Sequence, residues 1–474
     1  MSNHIEADIA IIGAGSGGLS VAAGAAQMGA RTVLIEKHKM GGDCLNYGCV
    51  PSKALIAAAH AAHQARTSAR FGVNGHEPDV RFNEVHDHVH DVIAGIEPHD
   101  SVERFESLGV TVIQAAGRFI GPNTLLAGDK RIKARRIVIA TGSRAAIPDL
   151  PGLADVPYLT NETVFDLTER PAHLIVIGGG PIGVELAQAH RRLGAEVTVI
   201  QRSRLMPKDD ADAVDVVRHA LLADGVAVHE HATIESIARE GNRIAIRLQS
   251  HGQCIRVAGS HLLVAAGRQP NTGGLELEAA GIAHGPRGIQ VDPRLRTSNK
   301  RVFAVGDVNG GPQFTHVAGY HAGIVIRNAL FNLPARIDQR AVPWVTYADP
   351  ELAHVGLTAA AAAEQGINVT TTRFAFADND RARAERATEG FAKAVVGKRG
   401  VVLGATLVGR HAGELLMPWI LAVKKRLKIG DIASLIAPYP TLSEVSKRAA
   451  GAYFTPALFS SRTAKVVRLM QRLP

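Results

Sequence analysis

The sequence predicts an α/β protein with two doubly wound, Rossmann-like domains of the same kind and an α+β domain at the C-terminus. A strand, a glycine-rich turn, a helix and a second strand follow one another within residues 9–36, and the same order returns within residues 174–200. Such alternation is typical of parallel sheets. A chain of 474 residues is also too long for a single hydrophobic core, so we expect two to four domains.

The first glycine-rich segment has the features of a dinucleotide-binding fingerprint. The apolar run Ile9–Ile12 is typical of a buried parallel strand, and Thr32–Ile35 is the next strand. Three glycines at the fingerprint spacing follow the first strand: Gly13, Gly15 and Gly18. Glu36 ends the second strand, where a carboxylate can bind ribose hydroxyls while the pyrophosphate lies at the helix N-terminus. The alternative, a glycine-rich turn of an ordinary α/β domain, is disfavoured by this context.

The second glycine-rich segment repeats the pattern. Leu174–Ile177 is its apolar strand and Glu196–Ile200 is the strand that follows. Between them stand three glycines at the same spacing: Gly178, Gly180 and Gly183. Because both copies keep all three glycines and both strands, we expect two functional dinucleotide sites rather than one site and one inactive copy.

The residues after the second copy favour NADPH over NADH. An NAD site would carry Asp or Glu there, whereas this chain has Gln201 and Arg202, followed by Ser203, Arg204 and Lys208. Basic side chains such as those of Arg202 and Lys208 can accommodate a 2′-phosphate. A solvated basic loop is the alternative.

Three further segments place a glycine or an acid after a predicted strand. Asp307 stands at the C-terminal end of one strand, where its carboxylate can accept hydrogen bonds from a polyol chain. Residues 137–143, with Thr141 and Gly142, and residues 262–270 are interpreted as the crossings between domains.

Two of the three cysteines, Cys44 and Cys49, lie in the glycine-rich segment 41–53. We expect a turn here that leads into a helix beginning near Pro51–Ser52, whose positive N-terminus would lower the pKa of a nearby thiol. This arrangement favours a redox-active disulfide. Zinc is disfavoured, because Cys254 has no neighbouring cysteine to complete a ligand set, and a purely structural disulfide would close a loop too small to add much stability.

We predict no resident metal ion. His86, His88 and His90 alternate along a predicted helix, but histidine-rich faces are usually solvated. The remaining histidines are scattered along the chain.

Together these motifs resemble the pyridine nucleotide–disulfide oxidoreductases, the family of glutathione reductase, dihydrolipoamide dehydrogenase and mercuric reductase. The resemblance covers nearly the whole chain, from the first fingerprint through CxNxGCxPSK, ATG, the second fingerprint and a T…GD segment to PTLSE. It implies FAD at the first fingerprint, with Glu36 on the adenosine ribose, and NAD(P)H at the second. It also implies a homodimer in which the C-terminal domain completes the partner's active site.

The resemblance assigns roles to individual residues. Cys49 would be the thiol on the flavin side, in charge-transfer contact with the isoalloxazine, and Cys44 would be the interchange thiol that attacks the substrate. Lys53 would lie near the flavin and pair with Glu185, where a cation favours the reduced, anionic flavin. Asp307 would bind the ribityl chain of FAD.

The chain departs from the family's disulfide reductases near its C-terminus. Those enzymes carry a His-Pro-Thr segment whose imidazole moves protons to and from the substrate thiol. Here Tyr439 takes the place of that histidine, while Glu444 is kept five residues later. A phenol with a pKa of about 10 is a poor base at neutral pH. Mercuric reductases also carry a tyrosine here, but they usually end in a vicinal cysteine pair, and this sequence has no cysteine after Cys254.

We therefore expect a mercuric reductase-like enzyme that passes electrons from NAD(P)H through FAD and the Cys44–Cys49 disulfide to a small acceptor. The acceptor would be a thiol-bound metal ion, or a disulfide that needs no strong base. The alternative is a dihydrolipoamide dehydrogenase-like subunit that acts on a lipoyl carrier protein. An oxidant sensor with little turnover is disfavoured, because all the parts needed for hydride transfer are present.

The chain divides into four predicted segments. We expect the first part of an FAD domain in residues 1–150, an NAD(P)H domain in 151–270, the second part of the FAD domain in 271–340 and an interface domain in 341–474. A proline-flanked strand and an alanine-rich helix in the last segment fit an α+β dimerisation module.

Charge and hydropathy limit the partners. No apolar run approaches the roughly 18 residues of a spanning helix, and the first strand leaves no room for a signal peptide, so we expect a cytoplasmic protein. The net charge of +9 is spread along the chain without a stacking or groove motif, which disfavours nucleic acid. The basic C-terminal tail, with Lys465, Arg468 and Arg472 on one helical face, could touch a membrane surface, but packing within the dimer is the favoured interpretation.

Overall fold

The computed structural model describes residues 3–472, which form two compact units. Unit 1 comprises the chain up to Arg202 together with His231–Ile337, and unit 2 comprises Ser203–Glu230 together with the chain from Asp338 onward. The outermost two residues of the predicted first and last segments lie outside the described part. The two units do not divide the chain at the expected boundaries near 150 and 270, so the four-segment division stays a prediction.

The N-terminal part of unit 1 alternates strands and helices. Its strands are β1 His4–Ile12, β2 Thr32–Glu36, β3 Val110–Gln114, β4 Gly117–Gly121, β5 Thr124–Ala127, β6 Lys130–Ile139 and β7 Ser143–Ala145. Its helices are α1 Ser16–Gln27, α2 Gly42–Asn46, α3 Cys49–Thr67, α4 Phe82–Ile96 and α5 Val102–Ser107.

The elements up to residue 337 continue this alternation. The strands are β8 His173–Ile177, β9 Glu196–Ile200, β10 Ala227–His229, β11 Thr233–Glu240, β12 Arg243–Ser250, β13 Gln253–Gly259, β14 His261–Val264, β15 Arg268–Pro270, β16 His284–Gly285, β17 Gly288–Ile289 and β18 Val302–Ala304. The helices are α6 Pro181–Arg192, α7 Ala211–Ala223 and α8 Thr315–Ala329. Of these, α7 and β10 belong to unit 2.

The main sheet of unit 1 has the strand order β3-β2-β1-β6-β5-β4. The first four strands are parallel, as expected where helix α1 connects β1 to β2, and β18 adds to the last part of β6. Both faces of β1 are buried: Ile9 and Ile11 pack in one core, and Ala10 and Ile12 pack in another on the opposite face. This two-sided burial explains why the strand is a continuous apolar run.

The second glycine-rich segment lies in a separate parallel sheet of unit 1. Strand β8 pairs with β9 on one side and with β14 on the other. A three-stranded antiparallel sheet, β11-β12-β13, packs its apolar side chains into the same core. The two crossing segments meet where β7 pairs with β15, so that Ser143 lies opposite Pro270.

Unit 2 is built on an antiparallel sheet. Its strands β19 Pro343–Thr346, β20 Glu351–Gly356, β21 Thr370–Ala375, β22 Phe391–Val396 and β23 Val402–Gly409 are arranged in the order β19-β20-β23-β22-β21. Its helices after residue 338 are α9 Ala359–Glu364, α10 Asp380–Ala384, α11 Ala412–Leu415, α12 Met417–Lys425, α13 Ile429–Ala433, α14 Glu444–Ala452, α15 Thr455–Leu458 and α16 Ser461–Met470. Trp419 of α12 and Val445 of α14 are fully buried in the core on this sheet.

Polar contacts tie residues 203–230 to this sheet. The ammonium group of Lys393 on β22 lies 2.9 Å from carboxylate oxygens of both Asp210 and Asp212. The indole N–H of Trp344 on β19 donates to Asp209 at 2.6 Å. A segment that the sequence placed in the NAD(P)H domain therefore also contributes to unit 2.

The C-terminal tail differs in one respect from expectation. Helix α16 ends at Met470, so Arg472 lies beyond it and does not share a helical face with Lys465 and Arg468. All three basic side chains are exposed. Within residues 3–472, none of the helices combines the length and the apolar character needed to cross a membrane.

Candidate active site

The first glycine loop has no space for side chains at Gly13 and Gly18, and its backbone N–H groups can bind an anion. Gly13 has φ +104°, and a Cβ atom there would lie 2.4 Å from the carbonyl oxygen of Ala140. A Cβ atom on Gly18 would lie 1.8 Å from the carbonyl oxygen of Gly13. Gly15 precedes α1 as its N-cap and supplies no side-chain cap, so the first N–H groups of the helix remain available to a ligand.

Glu36 is fixed beside this loop. One carboxylate oxygen accepts from the backbone N–H of Ala14 at 2.6 Å, and the other accepts from the N–H of His38 at 2.8 Å. Glu36, which is predicted to bind the ribose, therefore lies at the end of β2, next to the fingerprint glycines.

The second glycine loop has the same construction. Gly178 has φ +115°, and a Cβ atom on it would lie 2.3 Å from the carbonyl oxygen of Ala265. A Cβ atom on Gly183 would lie 1.9 Å from the carbonyl oxygen of Gly178. Gly180 is the N-cap of α6 and again leaves the helix N-terminus without a side-chain cap. Both fingerprints thus have the backbone form that a pyrophosphate requires.

The basic residues after β9 are not equivalent. Arg204 donates to the carbonyl oxygens of Pro207 and Asp209 at 2.9 and 2.7 Å, so its guanidinium stabilises the loop that carries it. Arg202 ends unit 1 and Lys208 lies in unit 2, and both side chains are exposed. Arg202 and Lys208 stay the predicted 2′-phosphate residues.

The redox segment is helical and packs on the first glycine loop. Cys44 lies inside the five-residue helix α2, and Cys49 is the first residue of α3, which begins two residues before the predicted Pro51–Ser52. The N–H of Gly41 donates to the carbonyl oxygen of Ala14 at 3.0 Å. The loop that would receive the cofactor therefore also positions the cysteine pair.

Both cysteines are thiols in the structure, and they differ in acidity. A hydrogen bond from the Cys44 thiol lowers the pKa of Cys49 to about 6, with further help from the Thr315 hydroxyl and the charge of Lys53, while burial and Asp43 act in the opposite direction. The hydrogen bond to Cys49 and burial raise the pKa of Cys44. Cys49 therefore loses its proton first and Cys44 keeps its own.

Thr315 is a site residue that the sequence alone did not reveal. Its hydroxyl lies 3.3 Å from the sulfur of Cys49, and it is the first residue of helix α8. No local sequence pattern links Thr315 to Cys49, because the two residues are 266 positions apart.

Lys53 and Glu185 form the ion pair that the resemblance implied. The Lys53 ammonium lies 2.7 Å from a carboxylate oxygen of Glu185, joining α3 to α6. The Glu185 side chain is 7% exposed and that of Lys53 is 37% exposed. Lys53 thus offsets the charge of a nearly buried carboxylate, while the roles of both residues in catalysis stay predictions.

Asp307 and the crossing segments are joined by short hydrogen bonds. The Ser143 hydroxyl donates to Asp307 at 2.6 Å, and burial raises the pKa of Asp307. The Thr141 hydroxyl donates to the carbonyl oxygen of Asn271 at 2.7 Å, and the N–H of Asn271 donates to the carbonyl oxygen of Gly142 at 3.0 Å. Asp307, which is predicted to bind a polyol chain, is therefore anchored where the two crossing segments meet.

Tyr439 and Glu444 lie in unit 2 and do not hydrogen bond to each other within the described chain. The Tyr439 side chain is 70% exposed, and its hydroxyl donates to Asp380 at 3.0 Å. This hydrogen bond and the negative charge of Asp380 raise the pKa of Tyr439. Glu444 begins helix α14 and lies 3.8 Å from Arg448. The phenol therefore keeps its proton at neutral pH.

No group of three or more His, Cys, Asp or Glu side chains in residues 3–472 is arranged to hold a metal ion. His86 and His90 stack on α4 with ring centroids 4.1 Å apart.

Comparison with known proteins decides the family. Residues 7–322 match the model described as pyridine nucleotide-disulphide oxidoreductase, and residues 342–450 match the dimerisation domain of the same family. The chain belongs to the pyridine nucleotide-disulphide oxidoreductases. It is thus a flavin-dependent enzyme with two dinucleotide-binding domains and a C-terminal dimerisation domain, and members of this family use FAD and NAD(P)H.

Relatives with two different activities have about the same sequence identity to the enzyme. It is 36% identical over 449 residues to a mercuric reductase of Bacillus cereus, covering 94% of this chain and 71% of that protein. It is 34% identical over 455 residues to a dihydrolipoyl dehydrogenase of Geobacillus stearothermophilus, covering 94% and 96%. Among solved structures, the Cu(II) complex of the HOCl-induced flavoprotein disulfide reductase RclA from Escherichia coli has a TM-score of 0.83 and 29% identity, covering 93% of this chain and 98% of that one.

The residues of the first site fit FAD. The glycine loop has no room for a Cβ atom at its two tightest positions, the helix N-terminus is uncapped, and Glu36, which is predicted to bind the ribose, is held beside the loop. When bound, FAD would supply two-electron transfer between NAD(P)H and the disulfide. Reduction of the disulfide takes two electrons and two protons, and the lower pKa of Cys49 makes its proton the first to leave. Lys53 places a positive charge beside that thiolate.

Proposed function

We propose that the enzyme uses NADPH to reduce a thiophilic metal ion bound to thiolates, with Hg(II) as the first candidate. The observation that carries this proposal is the environment of Tyr439, whose phenol is exposed and hydrogen bonded to Asp380, which raises its pKa. Oxidation of a dithiol substrate needs a base that accepts thiol protons. Reduction of a thiol-bound metal needs thiolates and electrons, which Cys44 and Cys49 supply.

The proposed overall reaction balances without another reactant. One NADPH, one proton and one Hg(II) dithiolate give NADP⁺, Hg(0) and two free thiols. The external thiols are displaced from the metal by the cysteine thiolates and leave with two protons, one from the hydride of NADPH and one from solvent. The names of several relatives, and the copper complex of a structural neighbour, support a metal acceptor.

A second candidate is a dihydrolipoamide dehydrogenase-like subunit that acts on a lipoyl carrier protein. It is supported by the relatives named dihydrolipoyl dehydrogenase, which match with nearly the same identity. In that case another group must replace the base that Tyr439 does not provide.

We further infer that the enzyme is a homodimer in which unit 2 forms the interface. The match to a dimerisation domain supports this, as do the large apolar side chains that unit 2 leaves exposed, among them Met417, Leu421 and Ile436. Sedimentation equilibrium of the holoenzyme should give twice the chain mass, and a monomer at micromolar concentration would contradict the inference.

The acceptor is tested by anaerobic NADPH oxidation with thiol-bound Hg(II), Cu(II) and lipoamide as parallel acceptors. We expect turnover with Hg(II) to exceed that with lipoamide at least tenfold. Faster turnover with lipoamide would reject the metal proposal and support the lipoyl pathway. In the Cys44→Ser control, acceptor reduction should be lost while NADPH still bleaches the flavin absorbance, and surviving turnover would remove the disulfide from the electron path.

A further inference from the structure

Arg268 lies between two carboxylates, and one of them belongs to Asp43, the residue before Cys44. Its side chain is 13% exposed, and one terminal nitrogen lies 3.1 Å from Asp43. Its Nε donates to the Ser143 hydroxyl at 2.7 Å, and that hydroxyl donates to Asp307 at 2.6 Å. Nε also lies 3.8 Å from the nearest oxygen of Asp307. One guanidinium therefore faces both acids.

Asp43 is part of the redox segment itself. It precedes Cys44 in helix α2 and accepts from the side-chain amide of Asn161 at 3.1 Å. A Cβ atom on Gly48 would lie 2.9 Å from the second carboxylate oxygen, so Asp43 also packs against the residue just before Cys49. A displacement of Asp43 would thus move both ends of the segment that carries the two cysteines.

Asp307 sits on the other side of Arg268, in the turn Gly306–Asn309 that follows strand β18. The neighbouring N–H of Gly306 donates to the imidazole of His321 at 3.2 Å, which fixes this turn on helix α8. That helix begins at Thr315, beside Cys49. Arg268 therefore closes a ring of contacts that starts and ends at the cysteine pair.

Arg268 offsets one of the two negative charges in this group. The guanidinium and the two carboxylates sum to one negative charge, and loss of the guanidinium would leave two partly buried negative charges, one of them on Asp43 beside Cys44. Reduction of the disulfide with formation of a thiolate adds negative charge, which a nearby cation favours and nearby anions oppose.

We propose that Arg268 is a positioning residue for the redox pair, which ties the helix carrying Cys44 to Asp307 and offsets the charge of Asp43 beside the thiols. The proposal concerns the family's reaction up to the dithiol, so it holds whichever acceptor the enzyme reduces. It assigns the crossing segment 262–270 a part in the redox step.

The test is the equilibrium between oxidised and reduced holoenzyme in a series of NADPH/NADP⁺ mixtures, followed by flavin absorbance and by counting free thiols. In Arg268→Met the equilibrium constant for reduction of the disulfide should fall at least threefold. Arg268→Lys keeps the charge but loses the fork of donors, so it should recover at least half, but not all, of that loss on a logarithmic scale. Asp43→Asn removes a negative charge and should raise the constant.

The control is Arg256→Met, which removes a half-exposed arginine paired with Glu240 in the same unit and should leave the constant unchanged. Equal constants in Arg268→Met and the control would overturn the proposal. Shifts of the same sign in Arg268→Met and Asp43→Asn would do so as well, because they would indicate disruption of packing rather than of charge. If Arg268→Met retained no FAD, the other two variants would decide the outcome. The equilibrium constant should fall in Arg268→Lys and rise in Asp43→Asn, and any other pair of results would overturn the proposal.

Discussion

Gln201 occupies in the second nucleotide loop the position that Glu36 occupies in the first. The side-chain oxygen of Gln201 accepts from the N–H of Gly179 at 2.8 Å, and the carboxylate of Glu36 accepts from the N–H of Ala14 at 2.6 Å. In both loops the donor is the residue after the first fingerprint glycine. The two sites therefore differ by one charge at the same place, a carboxylate in the first and a neutral amide in the second.

This difference leads to a prediction about the coenzyme. Gln201→Glu should lower the ratio of kcat/KM for NADPH to kcat/KM for NADH at least tenfold, because the new carboxylate repels a 2′-phosphate and accepts hydrogen bonds from the ribose hydroxyls of NADH. Steady-state kinetics with both coenzymes measure the ratio. Gln201→Asn, which adds no charge, should change it less than threefold, and a wild-type preference for NADH would contradict the assignment.

The Lys53–Glu185 pair gives a prediction about stability and flavin reduction. In Lys53→Met the nearly buried carboxylate of Glu185 would lose the ammonium group that lies 2.7 Å away, and we expect the free energy of unfolding to fall by about 2 kcal/mol. The value lies below that for a fully buried pair because Lys53 is partly exposed. We also expect the rate of flavin reduction by NADPH to fall about tenfold in stopped-flow measurements.

The matched control is Lys424→Met, since Lys424 forms an ion pair with Asp338 at 3.0 Å that is more exposed. Asp338 keeps a second partner in Arg340, so the loss should be below about 1 kcal/mol. If both substitutions lowered stability equally, Lys53 would be an ordinary surface cation.

The acidity of Cys49 sets the pH dependence of the reduced enzyme. The pKa of Cys49 is lowered to about 6, so the thiolate should form as the pH rises through 6 and should be present throughout the neutral range. The long-wavelength absorbance that a thiolate produces in contact with flavin reports its fraction. Thr315→Val removes a hydrogen bond to the sulfur and should move the midpoint to higher pH, whereas Thr315→Ser should leave it in place. A midpoint above 8 in the wild-type enzyme would contradict the prediction.

The sequence could predict the two nucleotide loops because each is a local pattern. The glycines are required within a few residues of one another, and Glu36 follows at a fixed distance along the chain. The ion pair of Lys53 with Glu185 joins distant residues, and only the resemblance to a family predicts it. Its presence needs the packing of α3 on α6, which no short pattern encodes.

The contacts of Arg268 and Thr315 could not be predicted from the sequence. Each lies in a stretch that is ordinary for an α/β protein. Only the folded chain brings Asp43 to Arg268 and Cys49 to Thr315. Helix α3 begins two residues before the expected start near Pro51–Ser52. Proline is tolerated throughout the first turn, where its missing N–H has no helical partner.

Arg204 shows what the basic composition of a segment cannot predict. The basic composition after β9 predicted a phosphate site, but composition does not reveal which guanidinium is already engaged. The carbonyl oxygens of Pro207 and Asp209 bind Arg204, because the tight loop turns them toward its side chain.

Tyr439 gives the prediction that separates the proposed acceptors. In Tyr439→His an imidazole that titrates near neutrality replaces a phenol whose pKa is raised by Asp380, so a base becomes available for substrate thiols. If the missing base limits the reaction, oxidation of dihydrolipoamide should rise at least tenfold, while reduction of thiol-bound Hg(II) should change less than threefold. Tyr439→Phe is the control, since it removes the hydroxyl without adding a base and should not raise lipoamide turnover. An unchanged rate in Tyr439→His would mean that the substrate pocket, rather than the lack of a base, excludes lipoamide.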